Sequence, residues 1–272
     1  MSEPCGACDT CPDTCPLDVR VLEVVRTASP TPGTRRVVLG GPALAGFAVP
    51  GNALGPYVKL LIPPPGEAEP AWPRCEAGRL LWPEAARRPV MRTYSVRRHD
   101  REAGELTLDV VLHEGGAGSD WARAARPGDR VGTWGPGTPL GAEADWFLLA
   151  GDHTALPSIA FILENLPEEA CGRAFIEVPG PDEEQSLPCP AALEVTWLHR
   201  GTATCPSALL DRVCAAECPL GARALLWAGA EAGIARAIRR HARHERGLAR
   251  DQVQVLNYWK RGATEGAFDY GA

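Results

Sequence analysis

The strongest constraint on this chain is a change of punctuation near residue 140. Before it, short runs rich in apolar and β-branched residues are cut off by Gly or Pro: VRVLEVVR, TRRVVLGG, YVKLLIPP, PVMRTYSVRR, ELTLDVVLHE and DRVGTWGPG. Proline removes a ladder donor and glycine supplies turn conformations, so these runs do not merge into longer elements. They predict a small antiparallel barrel or sandwich from about Leu17 to Leu140. After about Glu143, the strand-like runs DWFLLAGD, RAFIEVPG, LEVTWLHR, RALLWAGA and DQVQVLNYW alternate with helical stretches, TALPSIAFILENL, PSALLDRVCAAEC and EAGIARAIRRHARHER. That alternation predicts a mainly parallel sheet with crossover helices. The expected fold class is therefore an antiparallel β-barrel domain over 17–142 followed by an α/β domain over 143–272, with a cysteine-rich segment over 1–16. Between the third and fourth runs, the polar stretch PPPGEAEPAWPRCEAGRLLWPEAARRP is long enough to be either functional or loosely ordered.

Composition narrows the partners. The formal net charge is -6, with basic residues dispersed among acidic ones, which predicts no nucleic acid binding. No run of about 18 apolar residues offers a membrane span, and the N-terminus MSEPCGACDTCP lacks the order of a secretory signal, so a cytoplasmic address is expected. Of 28 basic residues, only Lys59 and Lys260 are lysines. The 10 cysteines should be reduced in that compartment, which favours metal binding, redox chemistry or burial over a disulfide framework. Four of them, Cys5, Cys8, Cys11 and Cys15, follow the C-x2-C-x2-C-x3-C-P spacing of a bacterial ferredoxin run. An iron-sulfur cluster, a structural zinc and a reduced tail are the three readings of that spacing, with Cys205, Cys214 and Cys218 as candidate distant ligands.

Three stretches carry chemistry. In VMRTYSVRR, strand alternation puts Arg92 and Tyr94 on one face and Thr93 and Ser95 on the other. An arginine beside a phenol suits a planar anionic ligand, and equally suits a solvated barrel wall. In HEGGAGSDWARAARPGD, the small residues Gly115 to Ser119 run into a short helix from about Ser119. Its backbone N-H groups and positive end could face a pyrophosphate, or the stretch is a simple connection capped by Ser119. In LLAGDHTALPSI and LLWAGAEAG, Gly151, Asp152 and Gly229 end strands while Thr154 and Glu231 open helices. The carboxyl edge of a parallel sheet is where nucleotides bind, although no G-x-G-x-x-G is present and ordinary βα turns would look the same. His241 and His244 fall on an arginine-rich helix and read as a solvated face, and no Ser-His-Asp or paired-carboxylate arrangement suggests hydrolysis.

Taken together, RRVVLGGPALAGF, YVKLLIP, RTYSVRRHD, GSDWARAARPGDRVGTWGPG, AGDHTALPSI, WAGAEA and NYWKRG resemble the siderophore-interacting protein family, from about Val19 to Gly262. That resemblance implies a flavin-dependent ferric-siderophore reductase built like the ferredoxin reductases, with FAD on the barrel and NADH or NADPH at the α/β domain. By the same resemblance, Arg92 binds the FAD phosphates, Tyr94 packs on the isoalloxazine, and Ser95 meets the reactive flavin nitrogen through its backbone or by local strand distortion, since strict alternation sends its side chain away from Tyr94. His113, Gly118, Ser119 and Trp121 form the second FAD segment. Gly151, Asp152, Thr154, Gly229 and Glu231 line the nicotinamide groove, and Lys59, Lys260 and Arg261 lie in a basic site for the ferric siderophore. At His153 relatives commonly carry an acidic residue. A ferredoxin as donor, a protein electron acceptor and a siderophore-binding role without catalysis remain alternatives at this stage.

Overall fold

The protein is described by a computed structural model over residues 19–67, 69–76, 79–139, 141, 143–201, 207–219 and 221–265. Cys5, Cys8, Cys11, Cys15 and Cys205 lie outside the described residues. The first half contains β1 (Arg20–Thr31), β2 (Thr34–Gly40), β3 (Tyr57–Ile62), β4 (Arg74–Glu76), β5 (Arg79–Leu81), β6 (Val90–Ser95), β7 (Arg98–Asp100), β8 (Glu105–Val111), α1 (Ala117–Ala124) and β9 (Arg130–Gly137). Seven of these strands form one antiparallel sheet in the order β6-β3-β9-β1-β2-β8-β7. The two ends of that sheet meet where the backbone N-H of Arg97 donates to the Thr107 carbonyl at 2.9 Å, so the sheet curls into a barrel. Alternate residues fill its interior, among them Leu22 and Val24, Val37 and Leu39, Val58 and Leu60, and Leu106 and Leu108. That is the period of two expected for strands with one buried face.

The polar insertion is packed on the barrel where it is described. β4 pairs with β5 as a hairpin. Trp82 stands edge-on to Trp134 at 5.7 Å, and the Arg88 guanidinium lies 4.9 Å over the Trp82 ring. Three tryptophan faces thus hold what composition left open, since Trp72 also lies against Gly132.

The second half contains β10 (Trp146–Asp152), α2 (Leu156–Asn165), β11 (Cys171–Val178), β12 (Ala192–His199), α3 (Leu209–Ala215), β13 (Ala224–Glu231), α4 (Ala232–Arg240) and β14 (Val253–Trp259). The strands form one parallel sheet in the order β12-β11-β10-β13-β14. Its central strands are buried on both faces. In β10, Trp146, Leu148 and Ala150 join one core, while Phe147 and Leu149 join the other. This explains why DWFLLAGD reads as a continuous apolar run rather than an alternating one. The arginine-rich helix is less uniformly solvated than its sequence predicts. His241 is not part of a solvated face: its Nδ1 lies 2.8 Å from Glu245 Oε2, and Arg246 Nε donates to its Nε2 at 2.8 Å, while His244 is exposed. Arg246 also donates to the last carbonyls of α3, which fixes its position over that helix end.

The barrel and the parallel sheet are joined by polar contacts as well as by Leu54, whose carbonyl accepts from Trp227 Nε1 at 3.3 Å. The Arg97 guanidinium grips Glu164 through two bonds, at 2.9 and 2.6 Å. Near the β1–β2 turn, the buried carboxylate of Glu183 accepts from the Thr31 hydroxyl at 2.5 Å and from the Gly33 N-H at 2.6 Å. His153, buried beside it, has Nε2 3.3 Å from Glu183 Oε2 and 3.0 Å from Thr34 Oγ1. The unusual histidine of the GDHT turn is therefore a brace between the two halves. Burial pushes its pKa below the ordinary 6.5, against the pull of Glu183, Asp152 and Asp109. The unfolded chain therefore takes up the proton first, and stability contributed by neutral His153 falls as pH drops through 6.5 toward the lower folded value. Denaturant titrations at pH values of about 7.5 and 5.5 should show a loss on acidification that is smaller in His153→Gln. His99, also shifted downward, stays in both proteins and cancels from the comparison.

Candidate functional site

The site is built around the two faces of β6. Its register with β3 sets Arg92 opposite Leu60 and Tyr94 opposite Val58, so both share the face of the barrel's apolar interior. Tyr94 packs against that core and its hydroxyl reaches α1. A Cβ on Gly118 would collide with this hydroxyl and come within 2.9 Å of Tyr94 Cζ, which accounts for glycine there. Burial, with a smaller push from Glu265, raises the Tyr94 pKa to about 12, so the phenol is neutral across the working range. The Arg92 guanidinium is half-buried and donates to the Met91 carbonyl at 2.8 Å through one nitrogen.

Helix α1 begins earlier than the sequence suggested. Its first residue is Ala117, its N-cap is Gly116, and no side chain caps it. Ser119 lies inside the helix. Its hydroxyl accepts from His113 N-H at 2.9 Å and donates to the His113 carbonyl at 2.8 Å, so it cannot serve as the cap. Gly115 turns the chain with φ of 70°, a conformation that favours glycine. The result is an eight-residue helix whose first N-H groups have no side-chain acceptor, with the Tyr94 hydroxyl against its second residue. Trp121 packs half-buried on the barrel core, and the His113 ring is exposed.

The other face of β6 looks toward the parallel sheet. Ser95, with 9% exposure, accepts from Ser158 Oγ at 2.7 Å and donates over 3.4 Å to Tyr258 OH. Thr93 is tied to Glu265, which accepts from its N-H at 2.8 Å and its hydroxyl at 2.6 Å. Lys59 Nζ donates to Thr93 Oγ1 at 2.7 Å and lies 3.6 Å from Glu265 Oε1. Lys59 is thus engaged within the protein, whereas Lys260 and Arg261 are exposed beyond β14.

At the carboxyl edge of the sheet, Asp152 is a hub. Its Oδ1 accepts from Thr154 N at 3.0 Å and Thr154 Oγ1 at 2.5 Å, while its Oδ2 accepts from Glu231 N at 3.0 Å and Trp259 Nε1 at 2.8 Å. Four donors hold one buried carboxylate, which welds the ends of β10, β13 and β14 together. Glu231 caps α4 by accepting from Gly233 N. The two strand-end glycines are required by packing: a Cβ on Gly151 would lie 2.6 Å from Ala155 Cβ, and one on Gly229 would lie 2.9 Å from the Tyr258 ring. Sequence reasoning missed Ser158, Tyr258, Glu183, Trp259 and Glu265. Ser158 did leave a signal, as a single polar side chain within the apolar run LPSIAFIL.

These features define a two-part protein, an antiparallel barrel joined to a parallel α/β sheet. Residues 23–140 match the siderophore-interacting FAD-binding domain and residues 144–262 match the siderophore-interacting protein model, so the chain belongs to the siderophore-interacting protein family. The ferric vibriobactin reductase ViuB of Vibrio cholerae is 34% identical over 253 residues, covering 92% of this chain and 92% of that protein. A siderophore utilization protein from T. fusca superposes with a TM-score of 0.84 at 41% identity, covering 94% of this chain and 97% of that one. The siderophore-interacting protein SipS from Aeromonas hydrophila gives 0.78 at 32%, covering 92% and 94%. A fainter likeness extends to ferredoxin reductases and shows their shared fold.

The Gly118 contact gives a test of the site's construction. Gly118→Ala should lower stability by about 1–3 kcal/mol, the usual cost of forcing extra atoms into a packed site. Adding Tyr94→Phe removes the worst-clashing atom but keeps Cζ, so it should recover part of that loss, which a double-mutant cycle in urea would measure.

Proposed function

We propose that the chain is an FAD-dependent ferric-siderophore reductase, drawing electrons from NADH or NADPH and delivering them to Fe(III) held by a siderophore, with release of Fe(II). Family membership supports this, as does the likeness to a protein named a ferric vibriobactin reductase. The observation that carries it is the shared face of Arg92 and Tyr94 on β6, with the Tyr94 hydroxyl against Gly118 in the uncapped first turn of α1. That donor set fits FAD: a guanidinium and backbone N-H groups for two phosphates, and an aromatic face for a ring. FAD supplies the chemistry of accepting two electrons as hydride and passing them on singly. In this reading Arg92 binds the phosphates, aided by Gly118 and Ser119 backbone N-H groups, while Tyr94 and Trp121 support aromatic rings and His113 flanks the segment. Ser95 presents its hydroxyl at the seam. Asp152 and Glu231, whose oxygens are used within the protein, shape the nicotinamide edge together with Gly151, Thr154 and Gly229 rather than donating to a ligand.

The division of labour follows the division of the chain at about 142/143, with the barrel as flavin domain and the α/β part as nicotinamide domain. Among the described residues no helix is long and apolar enough to cross a membrane, and use of a nicotinamide donor favours a cytoplasmic address. Purified protein should be yellow. Under anaerobic conditions it should convert ferric siderophores to Fe(II), trapped by a chromogenic chelator, with NADH, NADPH or a reduced ferredoxin compared as donors. Colourless protein that gains no FAD on reconstitution would overturn the proposal. Arg92→Ala should weaken FAD binding ten- to a hundredfold, the equivalent of about 1.5–3 kcal/mol for a lost charge-assisted bond.

For the ferric ligand, exposed Lys260 and Arg261 are the proposed attracting charges, with Lys59 behind them in its contact with Thr93 and Glu265. Lys260→Ala should raise KM for anionic ferric chelates, with the effect fading as salt screens it and flavin reduction by the nicotinamide unchanged.

The spacing of Cys5, Cys8, Cys11 and Cys15 supports a further part of the proposal, an iron-sulfur cluster that relays single electrons, with a ferredoxin as exchange partner. Among the described residues no set of three metal-ligating side chains converges; Cys214 is exposed and Cys218 is half-buried. Anaerobically purified protein should contain iron and acid-labile sulfide that Cys8→Ser removes. Zinc in place of both, or no metal after reconstitution, would overturn the cluster.

A further inference from the structure

Ser158 stands in the apolar first turns of α2 with no solvent exposure. A hydroxyl buried there must be satisfied by partners, and its two partners come from different parts of the fold. It donates to Ser95 Oγ on β6 at 2.7 Å and lies 2.8 Å from Tyr258 OH on β14. Ser95 and Tyr258 are 3.4 Å apart, which closes a triangle of three hydroxyls across the seam. Burial pushes the Tyr258 pKa upward, so its phenol keeps its proton, and its ring is held edge-on to Trp227 at 6.2 Å.

Counting hydrogens gives the triangle a direction. Each hydroxyl has one hydrogen to donate. Ser158 spends its hydrogen on Ser95, so the short contact between Ser158 and Tyr258 is a bond donated by Tyr258. Ser95 is left with a hydrogen whose only partner within the triangle is the long contact. We propose that Ser158 and Tyr258 are positioning residues that aim the Ser95 hydroxyl as a donor at the reactive nitrogen of bound flavin. The inference rests on the FAD site proposed above.

The reaction gives such a triangle a use. Oxidation of one NAD(P)H by two Fe(III) yields NAD(P)+, one proton and two Fe(II): the hydride brings two electrons, each iron takes one, and one proton leaves. A hydroxyl that donates toward the ligand favours the form that precedes that proton, so losing the donor favours the reduced form.

The test is a dye-equilibrated reductive titration of FAD-loaded wild type, Ser158→Ala, Tyr258→Phe, Ser95→Ala and the Ser95→Ala/Ser158→Ala double variant. Thermal midpoints and FAD content are recorded alongside. Each single variant should keep its FAD but shift the oxidised-to-reduced equilibrium about tenfold toward the reduced form, about 30 mV for a two-electron couple. The double variant should shift no further than Ser95→Ala alone, because the other two act through Ser95. Unchanged potentials in Ser158→Ala and Tyr258→Phe, even with lowered thermal midpoints, would mean that the triangle only packs the seam, and would overturn the inference alone. Tyr258→Phe keeps the ring against Trp227 and so guards against simple loss of folding. Wild-type protein that binds no FAD would instead remove the functional proposal and the inference together.

Discussion

The period of two in β6 places the site's components. Paired with β3 in unbroken register, the strand turns Arg92 and Tyr94 toward the barrel interior, where Tyr94 meets α1, and Thr93 and Ser95 to the opposite face, where Ser95 meets the parallel sheet's Tyr258. A slip of one residue would exchange the two sets, burying a hydroxyl and a threonine where the phenol now meets Gly118. The large apolar neighbours Val58 and Leu60 make that slip expensive, since they are fully buried on the same face as Tyr94 and Arg92. The core of the barrel thus sets the orientation of the functional side chains.

Across the seam the logic is different. Leu54 packs into the apolar core of the second half, and Glu183, His153, Arg97, Glu164, Ser158 and Tyr258 meet partners from the other half of the chain or brace those that do. Buried polar groups cost free energy unless matched, and a matched set tolerates few alternative arrangements. A seam of this kind specifies one docking geometry of the two halves more tightly than a greasy interface would. For the electron transfer proposed above, a fixed geometry is the useful property.

The same reasoning separates residues that shape from residues that bind. Asp152 has its four acceptor positions filled by Thr154, Glu231 and Trp259, and Ser119 is closed on His113. They build the edge and the loop. Arg92 has one nitrogen on the Met91 carbonyl, the start of α1 has no side-chain cap, and Lys260 and Arg261 are exposed; these are the groups that the proposed function assigns to ligands.

Local pattern was enough for much of this. Gly and Pro spacing marked the barrel strands, the alternation of runs marked the parallel sheet, and the two faces of RTYS followed from strand geometry, because each depends on residues only a few positions apart. Where local signals were ambiguous, as at Ser119 and His241, the sequence misplaced a helix start and a side chain's surroundings. The partners of Ser95 lay out of its reach: Ser158 is 63 residues away, and Tyr258 is 100 beyond that. Glu183, in a polar loop, reaches Thr31 across 152 residues, and Glu265 reaches Thr93 across 172. These pairings depend on how the barrel seats against the sheet. That seating is fixed by the summed packing and hydrogen bonding of both halves, a quantity that no local period encodes.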